Sequence, residues 1–291
     1  QYTDRALARR EEKKEAAALP GEELTPELLE MMNAFYHEMV ALLGRRTAEF
    51  HLALSSRSDD TDFLAEPFTL LYQRSVYQSM RSRAKKTFDL LRRNLESVPE
   101  HLRGEAEAVL ALEPEILGIL QKFVLRKFSA MKTRIHGDYH LGQLLFTGND
   151  FIIIDFEGEP VKSLSERRIK QSPLKDVAGM VRSLYYAANV VLMQRTHVRA
   201  EDIAYLLPWA QAWYRYHVKI FLDSYMEGVQ GACFLPTDQE EIDIMLQAFL
   251  LDKALYELGY EVNNRPEWLS IPLRSIDELV AEERKKAKGE G

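Results

Sequence analysis

Residues 136–158 read HGDYHLGQLLFTGNDFIIIDFEG, and this stretch decides the class of the fold. Leu144 to Thr147 and Phe151 to Asp155 are apolar, β-prone runs. Gly148, Asn149 and Asp150 between them are turn formers, so the two runs make a β-hairpin. The Ile152-Ile153-Ile154 run suits a strand buried on both faces. Just upstream, Thr133 to Ile135 reads as short and extended. On either side the periodicity is helical. Upstream it predicts helices over Arg5 to Ala18, from Thr25 to Leu43 with Pro26 at the first helical position, over Arg46 to Leu54, 69–95, 100–112 and 114–129. Gly44 reads as an interruption. Downstream it predicts helices over 174–195, 201–228, 238–260 and 276–288, with Pro266 and Pro272 as breaks. The expected fold is mainly α with one small β-hairpin at its centre.

The 291 residues are 46% hydrophobic and 29% charged, with a net charge of −7. That is a balance able to bury a core, and it excludes nothing but extremes. A mildly acidic chain lacks the concentrated basic face that nucleic-acid phosphates require, so no nucleic-acid partner is expected. Arg81, Arg83, Lys85 and Lys86 cluster locally and read as a solvated helix face. No apolar run approaches the roughly 20 residues needed to span a bilayer, so no membrane partner is expected. Cys233 is the only cysteine, which rules out an internal disulfide and fits a cytoplasmic location.

The polar residues gather where the hairpin lies. Asp138 and Gln143 are five positions apart on one loop, and Asp155 follows twelve later at the end of a strand. Singly, each has a plain structural use: a loop Asp as a turn former, His136 as a hydrogen-bonded scaffold, Gly137 and Gly142 as turn glycines. Together they match what phosphoryl transfer from ATP needs. A loop carboxylate sits beside the attacking hydroxyl, a second oxygen ligand comes from the same loop, and a third carboxylate holds Mg²⁺ against the phosphates. Hard oxygen donors suit Mg²⁺, which borrows its remaining ligands from water and phosphate.

The loop resembles the H-G-D-x-x-x-x-N motif of the aminoglycoside-phosphotransferase-like kinases, with Gln143 in place of the usual Asn. Asp155-Phe156-Glu157-Gly158 stands where protein kinases have Asp-Phe-Gly. HGDYHLGQ, IIIDFEGEP and the stretch from Arg168 to Met180 (RIKQSPLKDVAGM) are similar to the maltokinase branch, including the maltokinase portion fused to trehalose synthase. Gly44 to His51 (GRRTAEFH) resembles the helix after the lobe hinge, and Leu251 to Leu273 resembles the carboxy-terminal signature. The resemblance runs from about residue 40 to 273. It implies the C-terminal lobe of a protein-kinase-like fold. A charged helical segment over 1–24 would precede a catalytic lobe over 25–291, with the catalytic loop at 136–143 and the metal-binding hairpin at 144–158. No run of strands precedes residue 133, so the ATP-binding N-terminal lobe is expected to be absent and the isolated chain inactive.

The activity implied is phosphorylation of maltose to maltose 1-phosphate by ATP and Mg²⁺, with a trehalose synthase domain in the same or a partner chain as a further partner. Two alternatives stand beside it: a non-catalytic accessory domain of such a fusion, and a small-molecule kinase with another hydroxyl acceptor. The resemblance implies Asp138 as the catalytic, hydroxyl-orienting carboxylate and Gln143 and Asp155 as metal ligands. His136, Glu157 and Asp176 are expected to give structural support. Asp176 reads equally as a carboxylate bonded to the loop backbone or as a helix N-terminal charge, with Arg182 as its partner. Lys253, Tyr256 and Glu257 share one helical face, and with Glu261, Asn263 and Arg265 offer the polar groups a sugar needs; Lys253, Tyr256, Glu257 and Arg265 are the expected substrate contacts. Trp209, Trp213 and Tyr216 form an aromatic stripe that reads as core rather than as a sugar platform.

Overall fold

The computed structural model describes residues 34–56, 60–160, 162–193, 199 and 202–289. The expected helix over Arg5 to Ala18, the Thr25 cap and the 1–24 segment lie outside these residues. In chain order the elements are α1 (Ala34–Ser55), β1 (Glu66–Pro67), α2 (Leu70–Arg93), α3 (Arg103–Ala111), α4 (Glu113–Lys122), β2 (Met131–Lys132), β3 (Leu144–Phe146), β4 (Phe151–Ile153), α5 (Leu164–Arg167), α6 (Leu174–Met193), α7 (Ile203–Gly228), α8 (Gln239–Asn264) and α9 (Ser270–Lys288). The fold is mostly helical with two small antiparallel sheets, β1–β2 and β3–β4. Among the described residues no helix is long and apolar enough to cross a membrane.

The core is built on α8, whose Leu251, Ala254, Leu255 and Leu258 are fully buried. It packs against α6, α2 and α9, and α1 lies along α7. Gly44 does not interrupt α1. A Cβ at this position would stand 2.6 Å from the Phe221 carbonyl oxygen of α7, so the glycine lets two helices cross closely. Pro272 does not delay α9 either: it sits in the helix's first turn, where its missing N–H costs no hydrogen bond. α4 stops at Lys122, short of the expected 129, and Gln73 of α2 donates to the freed carbonyls of Phe123 and Arg126.

The hairpin forms where the turn residues place it, with Leu144 opposite Ile153, Leu145 opposite Ile152 and Phe146 opposite Phe151. It is not buried on both faces. Leu145 and Ile152 are each 52% exposed, and Ile154 lies just beyond the strand. A two-stranded ribbon has one face on the helices and one open, so an apolar run overstated its burial. β1 and β2 carry no periodic signal at all. Their pairing joins Glu66 to Lys132 and brings the segment before the catalytic loop onto the start of α2.

Trp209 is buried in a small cluster with Leu192, Leu206, Ala210 and Ala212, and Tyr216 packs against it. Trp213 packs on the main core and lies over the His217 ring at 4.1 Å. The aromatic stripe is therefore core.

Candidate active site

The loop from His136 to Gln143 is held from beneath by one carboxylate. Asp176, in the first turn of α6 and 2% exposed, accepts from the backbone N–H groups of His136 (2.6 Å) and Gly137 (2.9 Å). Its Oδ2 also lies 3.3 Å from His51 Nε2, while His51 Nδ1 is 2.9 Å from the Tyr225 hydroxyl. These contacts put the His51 proton on Nε2 and make Tyr225 the donor to Nδ1. Charge-assisted bonds to a buried carboxylate are strong, and they convert the GRRTAEFH helix and α6 into a rigid mount for the loop. Leu141 N–H donates to Ser183 Oγ at 3.0 Å, a second tie to α6. Gly179 makes the approach of loop to helix feasible, since a Cβ there would meet the Tyr139 carbonyl at 2.6 Å. Burial pushes the Tyr139 hydroxyl's pKa up, keeping it neutral against Thr47 Oγ1 at 2.8 Å.

Arg182 does not partner Asp176. It is 1% exposed and pairs instead with Glu257 of α8, at 2.9 and 2.6 Å, and donates to Ser275 of α9. That engagement also withdraws Glu257 from the surface beside Asp138. Arg265 pairs with Glu261 at 2.9 and 2.7 Å and lies over the Trp268 ring at 4.4 Å. Neither Glu257 nor Arg265 lines the groove that opens at Asp138. Lys253 and Tyr256, on the same stretch of α8, do line it.

His136 acts as scaffold: its Nε2 lies 2.8 Å from the Ile154 carbonyl, tying the loop to the hairpin. Asp138 is left with loose neighbours. His140 Nε2 and Lys253 Nζ are each 3.9 Å from its carboxylate oxygens. Both are beyond hydrogen-bond reach, with space between for a hydroxyl or a water. Gly142 N–H donates to His140 Nδ1 at 3.0 Å, which leaves the ring proton on Nε2, facing Asp138. Burial lowers the His140 pKa, with Asp138 opposing, so the ring is a neutral donor at pH 7.

The groove has walls that the sequence reading missed. Arg83 comes from α2, Glu159 and Lys162 from the segment after the hairpin, Lys175 from α6, and Asp252 from α8. Arg83 is therefore not a solvated face residue; it donates to Asp252 at 2.8 Å. Burial raises the Glu159 carboxyl's pKa, but its hydrogen bond and charge contact with Lys162 outweigh this and leave it below the ordinary range. The one available signal was adjacency: Lys175 precedes Asp176, and Asp252 precedes Lys253.

On the hairpin side, Gln143 Nε2 donates to Asp155 Oδ2 at 3.0 Å, so the two candidate metal ligands converge. Asp155 is the one non-glycine residue with positive φ among the described residues, at 62°. A residue held in this region stores strain that the surrounding structure must repay, as happens at functional turns. Glu157 is exposed on the turn beyond it. Among the described residues no three His, Cys, Asp or Glu side chains form a metal cluster. One carboxylate and one amide oxygen fit Mg²⁺ rather than a cage-bound metal, because Mg²⁺ takes few protein ligands and completes its shell with water and phosphate.

The sequence model of the phosphotransferase enzyme family, abbreviated APH, matches residues 11–158, which include the whole loop and hairpin. The chain belongs to this family. A glucosamine kinase of Streptacidiphilus jiangxiensis is 26% identical over 245 residues, covering 84% of this chain and 50% of that protein. A glucosamine kinase of Mycolicibacterium smegmatis (strain ATCC 700084 / mc(2)155) is 29% identical over 148 residues, covering 50% of this chain and 34% of that protein. The chain thus spans half or less of the length of these relatives. The fold matches that of a glucosamine kinase solved in complex with glucosamine, ADP and inorganic phosphate, with a TM-score of 0.71 and 24% identity over 98% of this chain and 61% of that one.

Proposed function

We propose that this polypeptide contributes the catalytic lobe, residues 25–291, of a sugar kinase that moves the γ-phosphoryl group of ATP to a sugar hydroxyl. The observation that carries the reading is Asp138: a carboxylate on a pinned loop, at the mouth of a polar groove, with its nearest donors standing off at 3.9 Å. A sugar hydroxyl placed between them is oriented by Asp138 and gives up its proton to that carboxylate. Its oxygen bonds to the γ-phosphorus as the bond to the bridging oxygen breaks and ADP leaves. Positioning supplies most of the rate in such a reaction, because the transition state is loose. Asp155 and the Gln143 amide oxygen would hold Mg²⁺, which supplies neutralising charge for the phosphates. The Asp176–His51–Tyr225 mount keeps Asp138 in register.

For the acceptor we favour maltose, phosphorylated at its anomeric hydroxyl to maltose 1-phosphate. The support is the resemblance of HGDYHLGQ, IIIDFEGEP and SPLKDVAGM to the maltokinase branch. The similar glucosamine kinases favour a second reading, in which an amino sugar is the acceptor. The test is phosphosugar formation by the full-length polypeptide with ATP and Mg²⁺ across maltose, glucose and glucosamine. Maltose 1-phosphate as the main product is expected. Product from glucosamine alone would replace the acceptor, and transfer to no sugar would sink the kinase reading.

A further inference from the structure

Not every charge around the groove has an opposite charge in contact. Two of its carboxylates already hold cations: Asp252 accepts from Arg83 at 2.8 Å, and Glu159 is paired with Lys162. Asp176 is buried and bound to loop amides and His51. Asp138 has Lys253 at 3.9 Å, whose ammonium also lies 5.0 Å above the Tyr256 ring. Lys175 is the exception. Its Nζ donates to an uncharged acceptor, Gln171 Oε1, at 2.7 Å. The charged groups that face it are Lys162, Asp252, Arg83 and Glu159, which belong to the two pairs just described. Lys175 is thus a groove-lining cation with no carboxylate in hydrogen-bond contact, beside two carboxylates that are already paired.

From this geometry we infer that Lys175 is a specificity-determining residue, which makes the groove select a neutral sugar hydroxyl and discriminate against a protonated amino sugar. The inference rests on the sugar-kinase reading and sharpens its acceptor. A bound ammonium finds no unengaged carboxylate except Asp138, which the reacting hydroxyl must use, and Lys175 and Lys253 line the same groove. Between partly buried groups these repulsions are screened less than at an open surface. The state of Lys175 agrees: burial first, and then Lys162, push its pKa down to about 8, so the surroundings already resist one more positive charge. A neutral hydroxyl carries no such penalty, and the Lys175 ammonium retains donors beyond the one it gives to Gln171.

The experiment compares glucose and glucosamine with the full-length polypeptide at pH 7 and saturating Mg·ATP. For each sugar the KM is measured where it is phosphorylated, and the inhibition constant against the accepted sugar where it is not. The constant for glucosamine should exceed that for glucose by about ten-fold or more. Lys175→Met should narrow that ratio at least about three-fold, whereas Lys175→Arg, which retains the charge, should preserve it. Equal constants in the unmodified protein would overturn the inference, whether or not either variant folds. So would an unchanged ratio in Lys175→Met, or the same loss in Lys175→Arg as in Lys175→Met. Turnover of no sugar would instead overturn the kinase reading and this inference with it.

Discussion

α6 treats charge in opposite ways at its start and at its middle. Two turns into the helix, Arg182 is 1% exposed and its guanidinium is committed to Glu257 and Ser275, with the rings of Tyr185 and Tyr186 at 4.7 and 5.9 Å. At the groove end, Lys175 and the nearby Asp138 hold only an amide contact and neighbours at 3.9 Å. Interior charges that are paired fasten helices to one another. Charges left loose at a groove retain capacity for a ligand, at some cost in stability. The difference separates scaffold from site more sharply than residue type does, since both places use the same few kinds of side chain.

The sharpest way to break this contrast is at Asp138. Asp138→Asn keeps the shape and removes the charge that orients and deprotonates the hydroxyl. In the full-length polypeptide the expected loss in kcat is two to four orders of magnitude, about the scale of a positioned general base, with thermal stability nearly unchanged. Asp155→Asn should act differently, raising the KM for Mg·ATP. A variant at Asp138 that keeps most of its rate would remove this residue from the mechanism.

Next in size is the interior pair. Arg182→Met leaves the largely buried Glu257 beside no cation, which should cost about 3 kcal/mol and lower Tm by roughly 10 °C at 2–4 °C per kcal/mol. The double variant Arg182→Met/Glu257→Leu should recover most of that loss, because it removes the stranded charge. Thermal melts of the two variants decide the matter. Equal destabilisation in both would show that packing, not charge, is what Arg182 contributes.

Much of this arrangement was legible in the sequence, and the illegible part has a physical pattern. The loop, the hairpin turn at Gly148-Asn149-Asp150 and the main helices follow from local residue chemistry, which periodicity and turn propensity read directly. The Asp176 contacts with the loop were one of two readings its position allowed, and the structure contains both, with the residue also in the first turn of α6. What stayed hidden is pairing across the chain. Arg182 meets a carboxylate 75 positions away and Arg83 one 169 away, and no local pattern encodes either. Glu257 and Arg265 share a segment with Lys253 but were turned to other partners by a helical step or a cap. Gly44 misled for the same reason: its neighbour is Phe221, a residue of another helix.

The smallest expected effect is the stability cost of Lys175 itself. A lysine ordinarily titrates at 10.5, and here burial and Lys162 bring it to about 8. At pH 7 both folded and unfolded chains carry the proton, and the folded state bears the penalty of a half-buried cation. Between about 8 and 10.5 the folded chain releases that proton while the unfolded chain retains it, so the unfolded state binds more protons and stability rises with pH across this window. Lys175→Met removes the penalty at every pH. The variant should therefore melt about 2–4 °C higher than the parent at pH 7, the equivalent of about 1 kcal/mol after allowing for partial solvent screening. That gap should shrink steadily as pH rises from 8 to 10.5. Because both proteins share every other titrating group, the difference between their melting temperatures isolates this lysine. A gap that stays constant across the window would show that Lys175 does not titrate there, and that its charge is better compensated than its contacts indicate.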